Sequence, residues 1–224
     1  MQDNGVSQRW NVVVTGGEAP PRRIVKSLID NAELVIAADS GLDTCVSWEV
    51  EPDLIVGDMD SVANTAVLER FSHERVIKAP REKDETDTEL AFRYSIERYS
   101  EPVVIVGGGG GRVDHLLGIF SLFHRAQTPC SWITDRDEIT RVDGLFRRDL
   151  PIGMTVSFFP VGRTSARMRS TGLKWKLDGL EWSSGDAGLS NVVTQRPFTV
   201  EMMSGKLVCI HSHRTSAQGG GDEQ

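Results

Sequence analysis

No stretch of this chain is long and apolar enough to cross a bilayer. Its start, Met1-Gln2-Asp3-Asn4-Gly5, lacks the basic-then-apolar form of a signal peptide. Cysteine is scarce: Cys45, Cys130 and Cys209 are scattered and form no CxxC pair, so neither a zinc site nor a disulfide framework is indicated. Their odd number suits a reducing compartment. An excess of positive charge is missing too. The chain carries 25 Lys and Arg against 32 Asp and Glu, a net charge of −7, which argues against general nucleic-acid affinity because that needs a basic face. A nucleotide is not excluded, since a divalent cation between carboxylates and phosphates reverses the local charge logic. No internal repeat is present. The expectation is a soluble, cytoplasmic protein without a membrane or nucleic-acid partner, whose 224 residues make one large domain or two small ones.

What is present is an alternation of strand-like and helix-like segments up to about residue 127. Strands are expected at 11–15, 34–38, 53–56, 75–78 and 103–106, and helices at 20–32, 62–71, 84–99 and 114–125. Near-continuous apolar strands separated by helices predict an α/β fold, a mostly parallel sheet with helices on both faces. From about Ser131 the texture changes to short β-like runs at 131–134, 138–142, 155–159, 192–193, 198–202 and 207–211, separated by turn residues such as Asp143-Gly144 and Ser204-Gly205. This predicts a C-terminal all-β, sandwich-like domain. The expected division is 1–135, 136–213 and a disordered tail, 214–224, that contains Gly219-Gly220-Gly221.

Acidic residues gather where the apolar runs stop. Leu54-Ile55-Val56 ends in Gly57-Asp58-Met59-Asp60-Ser61, and Leu34 to Ala38 ends in Asp39-Ser40-Gly41. In parallel α/β sheets ligands bind outside the carboxyl ends of the strands. Hard cations such as Mg2+ take oxygen ligands from one or two carboxylates, with water and phosphate completing the shell. Alternatively, Asp58 caps a following helix and Asp60 is merely solvated, but Asp39 at the neighbouring strand end favours a metal site. In Lys83-Asp84-Glu85-Thr86-Asp87-Thr88-Glu89, a capping box of Thr86 with Glu89 accounts for part of the acid. Asp84 and Asp87 are then the candidates to face the cleft, with Lys83 available to a phosphate.

Val103 to Val106 runs into Gly107 to Gly111 and then Arg112-Val113-Asp114-His115. Free backbone N–H groups between a strand and a helix can face an anion. The loop is not a P-loop, because Arg112 follows the glycines where GxxxxGK[ST] requires Lys, and it is too uniform for a convincing GxGxxG. A guanidinium at its exit can clamp phosphate oxygens in two places. Asp114 can orient a hydroxyl or a metal-bound water, or serve as an ordinary helix cap, and His115 is the weaker candidate.

Taken in order, Asp39-Ser40-Gly41, Gly57-Asp58-Met59-Asp60-Ser61, Lys83-Asp84-Glu85-Thr86-Asp87 and Gly107 to His115 closely resemble the thiamine pyrophosphokinase family. Ser157-Phe158-Phe159-Pro160, Thr171-Gly172-Leu173-Lys174-Trp175 and Leu189-Ser190-Asn191 extend the resemblance into that family's thiamine-binding domain. The resemblance implies an α/β catalytic domain for ATP and Mg2+ and a β domain for thiamine, in a homodimer with shared active sites. The implied reaction moves a pyrophosphoryl group from ATP to the thiamine hydroxyl, giving thiamine diphosphate and AMP. By position it implies that Asp39, Asp58, Asp60, Asp87, Arg112 and Asp114 are catalytic, with Asp39, Asp58 and Asp60 holding the metal. Lys83, Thr86, Gly108, Gly109, Gly110, Gly111 and Arg112 would contact ATP, and Ser190 and Asn191 the vitamin. Two stretches depart from the pattern: Ile119 stands where the family often has Asn, and Arg163 to Arg169 is unusually basic. The competing readings are a pyrophosphokinase for another hydroxymethyl heterocycle, such as a pterin, and a nucleotide- or thiamine-binding protein without turnover.

Overall fold

A computed structural model describes residues 9–80, 84–99 and 102–213. Lys83 and the tail 214–224 lie outside the described residues. The chain divides into two compact units, one running to Asp135 and the other beginning at Arg136.

In the first unit, β1 (Asn11–Thr15), β2 (Leu34–Ala38), β3 (Leu54–Gly57), β4 (Val76–Lys78), β5 (Val103–Val106) and β6 (Ser131–Ile133) pair in the order β6-β5-β1-β2-β3-β4. Every ladder is parallel. All residues of β1, β2 and β5 are buried, so both faces of the sheet are covered and the strands read as unbroken apolar runs. Among the described residues, four α-helices connect the strands: α1 (Arg22–Asp30), α2 (Gly41–Ser47), α3 (Asp87–Arg98) and α4 (Val113–Ser121). Val25 and Ile29 of α1 and Leu42 and Cys45 of α2 share a core with Val12, Val14, Val104 and Val106.

Several boundaries differ from the sequence expectation. Helix α1 starts two residues late: Pro21 biases Pro20 before it away from helix, and Pro21 itself is the extended N-cap (ψ 137°). The helix expected at 62–71 is a 3-10 turn at Thr65–Arg70, where Asn64 Oδ1 accepts the Ala66 amide and offers the backbone a local alternative. Helix α3 starts at Asp87 because Thr86 and Glu89 complete the capping box. The run at Ser131 belongs to the parallel sheet, beside β5, and not to the β region.

The second unit is all β, with two antiparallel sheets. One has the order β12 (Gly188–Val192), β9 (Thr155–Val161), β14 (Lys206–Ser212), β7 (Asp137–Val142). The other has the order β11 (Glu181–Trp182), β10 (Ala166–Thr171), β13 (Phe198–Ser204), β8 (Leu145–Arg148). Val142, Val156, Phe158, Met168, Phe198, Val200 and Leu207 form its core. The basic stretch has an ordinary place here: β10 alternates, with Ala166, Met168 and Ser170 buried and Arg167 and Arg169 in solvent.

Candidate active site

Pairing of β2 with β3 brings two acidic turns side by side: Ala38 lies opposite Val56, and the Asp39 amide donates to the Val56 carbonyl at 2.9 Å. Carboxylate oxygens of Asp39, Asp58 and Asp60 all lie within 4.8 Å of one another. Asp58 Oδ1 accepts the Asp60 amide at 3.1 Å, and the Ser61 hydroxyl donates to Asp60 Oδ1 at 3.0 Å, so local bonds orient the outer two. The turns need unusual backbone. Asp39 and Met59 have φ of 46° and 64°, a region that costs a non-glycine residue about 1–3 kcal/mol and persists only where surrounding structure imposes it. Glycine is required beside them. A Cβ on Gly41 would lie 2.1 Å from the Val14 carbonyl oxygen, so only glycine lets α2 start against β1.

Asp87, the first residue of α3, joins the cluster over Gly57, where φ is +150°. A Cβ there would stand 2.9 Å from Asp87 Oδ1 and 3.1 Å from Asp39 Cβ. Asp39 is 8% exposed, and its Oδ1 has no hydrogen-bond partner among the described residues. Burial raises its pKa, and the charges of Asp87 and Asp58 push the same way against hydrogen bonds from Ser40 and Ser61. A buried carboxylate with an unmatched oxygen, facing other carboxylates, lacks positive charge. An all-oxygen donor set of this kind fits a hard divalent cation.

The glycine loop is used differently from the sequence expectation. The amides of Gly107, Gly108 and Gly109 donate to the carbonyls of Ile133, Gly16 and Glu18, each at 2.9 Å. Those of Gly108 and Gly109 are therefore not open to a phosphate. Steric contact is the reason for glycine here, as a Cβ on Gly107 would meet the Thr15 carbonyl oxygen at 2.4 Å. Gly110 and Gly111, with φ of 62° and 64°, follow at the exposed turn. Arg112 and Asp114 form a two-pronged pair, Nε to Oδ1 at 3.1 Å and Nη2 to Oδ2 at 2.5 Å, and both are exposed. The Arg112 hydrogen bonds hold the Asp114 carboxyl below its usual range. Asp114 thus belongs to an ion pair and is not one of the three residues whose oxygens converge. Thr86 is the α3 N-cap, its Oγ1 accepting the Glu89 amide. Glu85 is bonded by Arg93, Asp84 is exposed, and His115 donates its amide to Asp114.

In the β unit, Ser190 has φ 56° and is exposed, and its amide donates to Ser157 Oγ at 3.1 Å. Asn191, which the family resemblance implies lies near the vitamin, is tied to the Trp175 backbone. It is 3% exposed, and its side chain bonds within its own unit: Oδ1 accepts from the Trp175 and Val192 amides at 3.1 and 2.8 Å, and Nδ2 donates to the Trp175 carbonyl at 2.6 Å. What it presents is Trp175, which is 53% exposed with Lys174 Nζ 4.6 Å from its ring centroid. Trp175 was visible in sequence only as part of a motif, because no pattern shows which side chain supports another.

Comparison with known proteins covers both units. A family model described as "Thiamin pyrophosphokinase, catalytic domain" matches residues 25–133, and one described as "Thiamin pyrophosphokinase, vitamin B1 binding domain" matches residues 145–207. Thiamine pyrophosphokinase 2 of Arabidopsis thaliana is 27% identical over 95% of this chain and 90% of its own length. Thiamine pyrophosphokinase of Bacillus subtilis is 26% identical over 89% of this chain and 97% of its own. The crystal structure of a Bacillus subtilis thiamine pyrophosphokinase superimposes with a TM-score of 0.75, at 25% identity, covering 91% of this chain and 98% of that one. The Candida albicans thiamin pyrophosphokinase shares the fold, with a TM-score of 0.70 at 18% identity over 91% of this chain and 89% of that one. With both models matched in order along one chain, this protein belongs to the thiamine pyrophosphokinase family.

Proposed function

We propose that this chain is a thiamine diphosphokinase that transfers a pyrophosphoryl group from ATP to the thiamine hydroxyl. The observation that carries the reading is the meeting of Asp39, Asp58 and Asp60 around an unmatched buried oxygen, in a chain that matches both halves of the family. The thiamine oxygen attacks the β-phosphorus of ATP, the bond from that phosphorus to the α–β bridging oxygen breaks, and AMP leaves. In phosphoryl transfer the protein mainly positions groups and stabilises charge. Asp39, Asp58 and Asp60 would hold Mg2+, with Asp87 adding negative charge, and Mg2+ supplies neutralisation of the phosphate oxygens. Arg112, exposed at the start of α4, would exchange its two bonds to Asp114 for phosphate oxygens. Its partner Asp114, held ionised, accepts a hydrogen bond from the attacking hydroxyl. In the β unit, Ser190 and the exposed face of Trp175 contact the vitamin, whose cationic thiazolium suits an aromatic face. Of the glycines, Gly110 and Gly111 are the ones left to approach the nucleotide.

Mixing the protein with ATP, Mg2+ and thiamine is expected to yield AMP and thiamine diphosphate in equal amounts and no ADP. Stoichiometric ADP, or thiamine monophosphate as sole product, would sink the pyrophosphoryl assignment, and turnover of a pterin in preference to thiamine would transfer the reaction to that acceptor.

The chain acts as a homodimer with shared active sites. The family resemblance and the exposed Val113 and Leu117, one turn apart on α4 at 66% and 62% exposure, support this. Its mass in solution is expected to be twice that of the chain, and a monomeric mass at assay concentration would refute it. No helix among the described residues is long and apolar enough to cross a membrane. Cys45, Cys130 and Cys209 are in no disulfide, which suits work in the reducing cytoplasm.

A further inference from the structure

The strand order β6-β5-β1-β2-β3-β4 makes β1 the point from which the chain winds first toward β4 and then toward β6. The carboxyl ends of β1 and β5 are therefore the switch point, outside which ligands of such sheets bind. Two glycine turns close back to back there: Glu18 and Gly109 exchange both backbone hydrogen bonds, at 2.7 and 2.9 Å. With the amides of Gly107 to Gly109 satisfied by protein carbonyls, this part of the loop offers an anion little. Carboxylates stand on it instead. A Cβ at Gly109 would lie 2.3 Å from Asp135 Oδ1, and one at Gly110 would lie 2.7 Å from Glu18 Oε1. Asp135, just past β6, is 7% exposed, whereas Glu18 is in solvent. Both lie outside the matched catalytic segment, residues 25–133.

A pair of carboxylates repels phosphate but accepts hydrogen bonds from hydroxyls, and an acidic residue is a recurrent acceptor for ribose in nucleotide-binding α/β sheets. The acidic cluster lies at the ends of β2 and β3, about two strand spacings away, roughly 10 Å. That span suits a nucleoside triphosphate whose phosphates face the cluster and whose sugar faces the glycine turns. We propose that Glu18 and Asp135, flanking the paired glycine turns, accept the ribose hydroxyls of the nucleotide donor and make the site selective for ribonucleotides. The inference rests on the proposed nucleotide chemistry, but not on the identity of the acceptor.

The test is calorimetric titration of the full chain in Mg2+, without thiamine, using ATP, 2′-deoxyATP, 3′-deoxyATP and the triphosphate of purine riboside, which lacks the amino group. Wild type is expected to bind ATP ~10-fold or more tighter than at least one deoxy analogue, the scale of a hydrogen bond to a charged group. Glu18→Ala is expected to collapse that preference, and Glu18→Gln, which keeps an acceptor oxygen, to retain part of it. Asp135→Asn is read only alongside its melting curve, since the residue is buried, and the exposed Glu18 carries the test alone if that variant fails to fold. Equal binding of ATP and both deoxy analogues by wild type would overturn the proposal. So would undiminished discrimination in Glu18→Ala, or a preference that follows the purine amino group and not the sugar. Because no acceptor is present, failure of thiamine turnover leaves these outcomes readable.

Discussion

Asp60→Asn is expected to lower turnover at least ~100-fold, the scale seen when a group stabilising transition-state charge is removed, while the chain stays folded. Asp60 is exposed and bonds locally to Asp58 and Ser61, and a surface change of that kind moves stability by about 0.5 kcal/mol or less. The signature that separates a metal ligand from a solvated turn is thermal. Asp39 has a raised pKa, so folding favours its protonated form: that contribution is present at low pH and is lost as pH rises through the folded pKa. At neutral pH the metal-free cluster therefore weakens the fold, and a cation held there relieves it. Mg2+ should raise the melting temperature of wild type in proportion to the logarithm of its concentration once it exceeds Kd. Asp60→Asn should melt no lower than wild type without Mg2+ and respond little to its addition. Gly57→Ala is the complementary change: it removes no charge but pushes the Asp39 and Asp87 side chains apart, and should weaken the same response. Near-normal turnover of Asp60→Asn at limiting Mg2+, with the thermal response intact, would return these residues to turn and cap roles.

Why some of this was legible follows from what sequence records. Strands β1, β2, β3 and β5 are readable because covering a parallel sheet on both faces removes the polar alternation that would otherwise blur them. Helix α2 is not, because its seven residues span under two turns, open on glycine and include the β-branched Thr44 and Val46. Strand β10 is hidden by its own arginines: the basic stretch looks like a charge run until its alternate residues are seen to be buried. The acidic turns could be placed at strand ends from their spacing, yet their proximity depends on β2 pairing with β3, which is a tertiary fact. Five glycines announce a tight turn but do not say which carbonyls take their amides, and on that point depends whether the loop can face an anion.

The family resemblance implied that Asn191 lies near the vitamin, and the bonds it makes to Trp175 lead to the second large effect. Asn191→Ala is expected to raise the KM for thiamine ~10-fold or more while the KM for ATP stays within about twofold, although the buried amide need never touch the vitamin. Removing it takes the Asn191 partner from the part-buried Trp175 amide and carbonyl, a loss of about 1 kcal/mol for each hydrogen bond. A domain stabilised by about 5–15 kcal/mol survives that at low temperature, but the segment that displays the indole does not keep its position. Trp175→Ala should have a similar effect by removing the aromatic face itself. The decisive comparison is the double variant. If Asn191 acts through Trp175, Asn191→Ala adds almost nothing once the indole is gone, because both changes break the same interaction. Effects on thiamine KM that multiply in the double variant would mean that Asn191 contributes independently of Trp175. A thiamine KM unchanged in Asn191→Ala, with Trp175→Ala impaired, would mean that the indole holds its place without this amide.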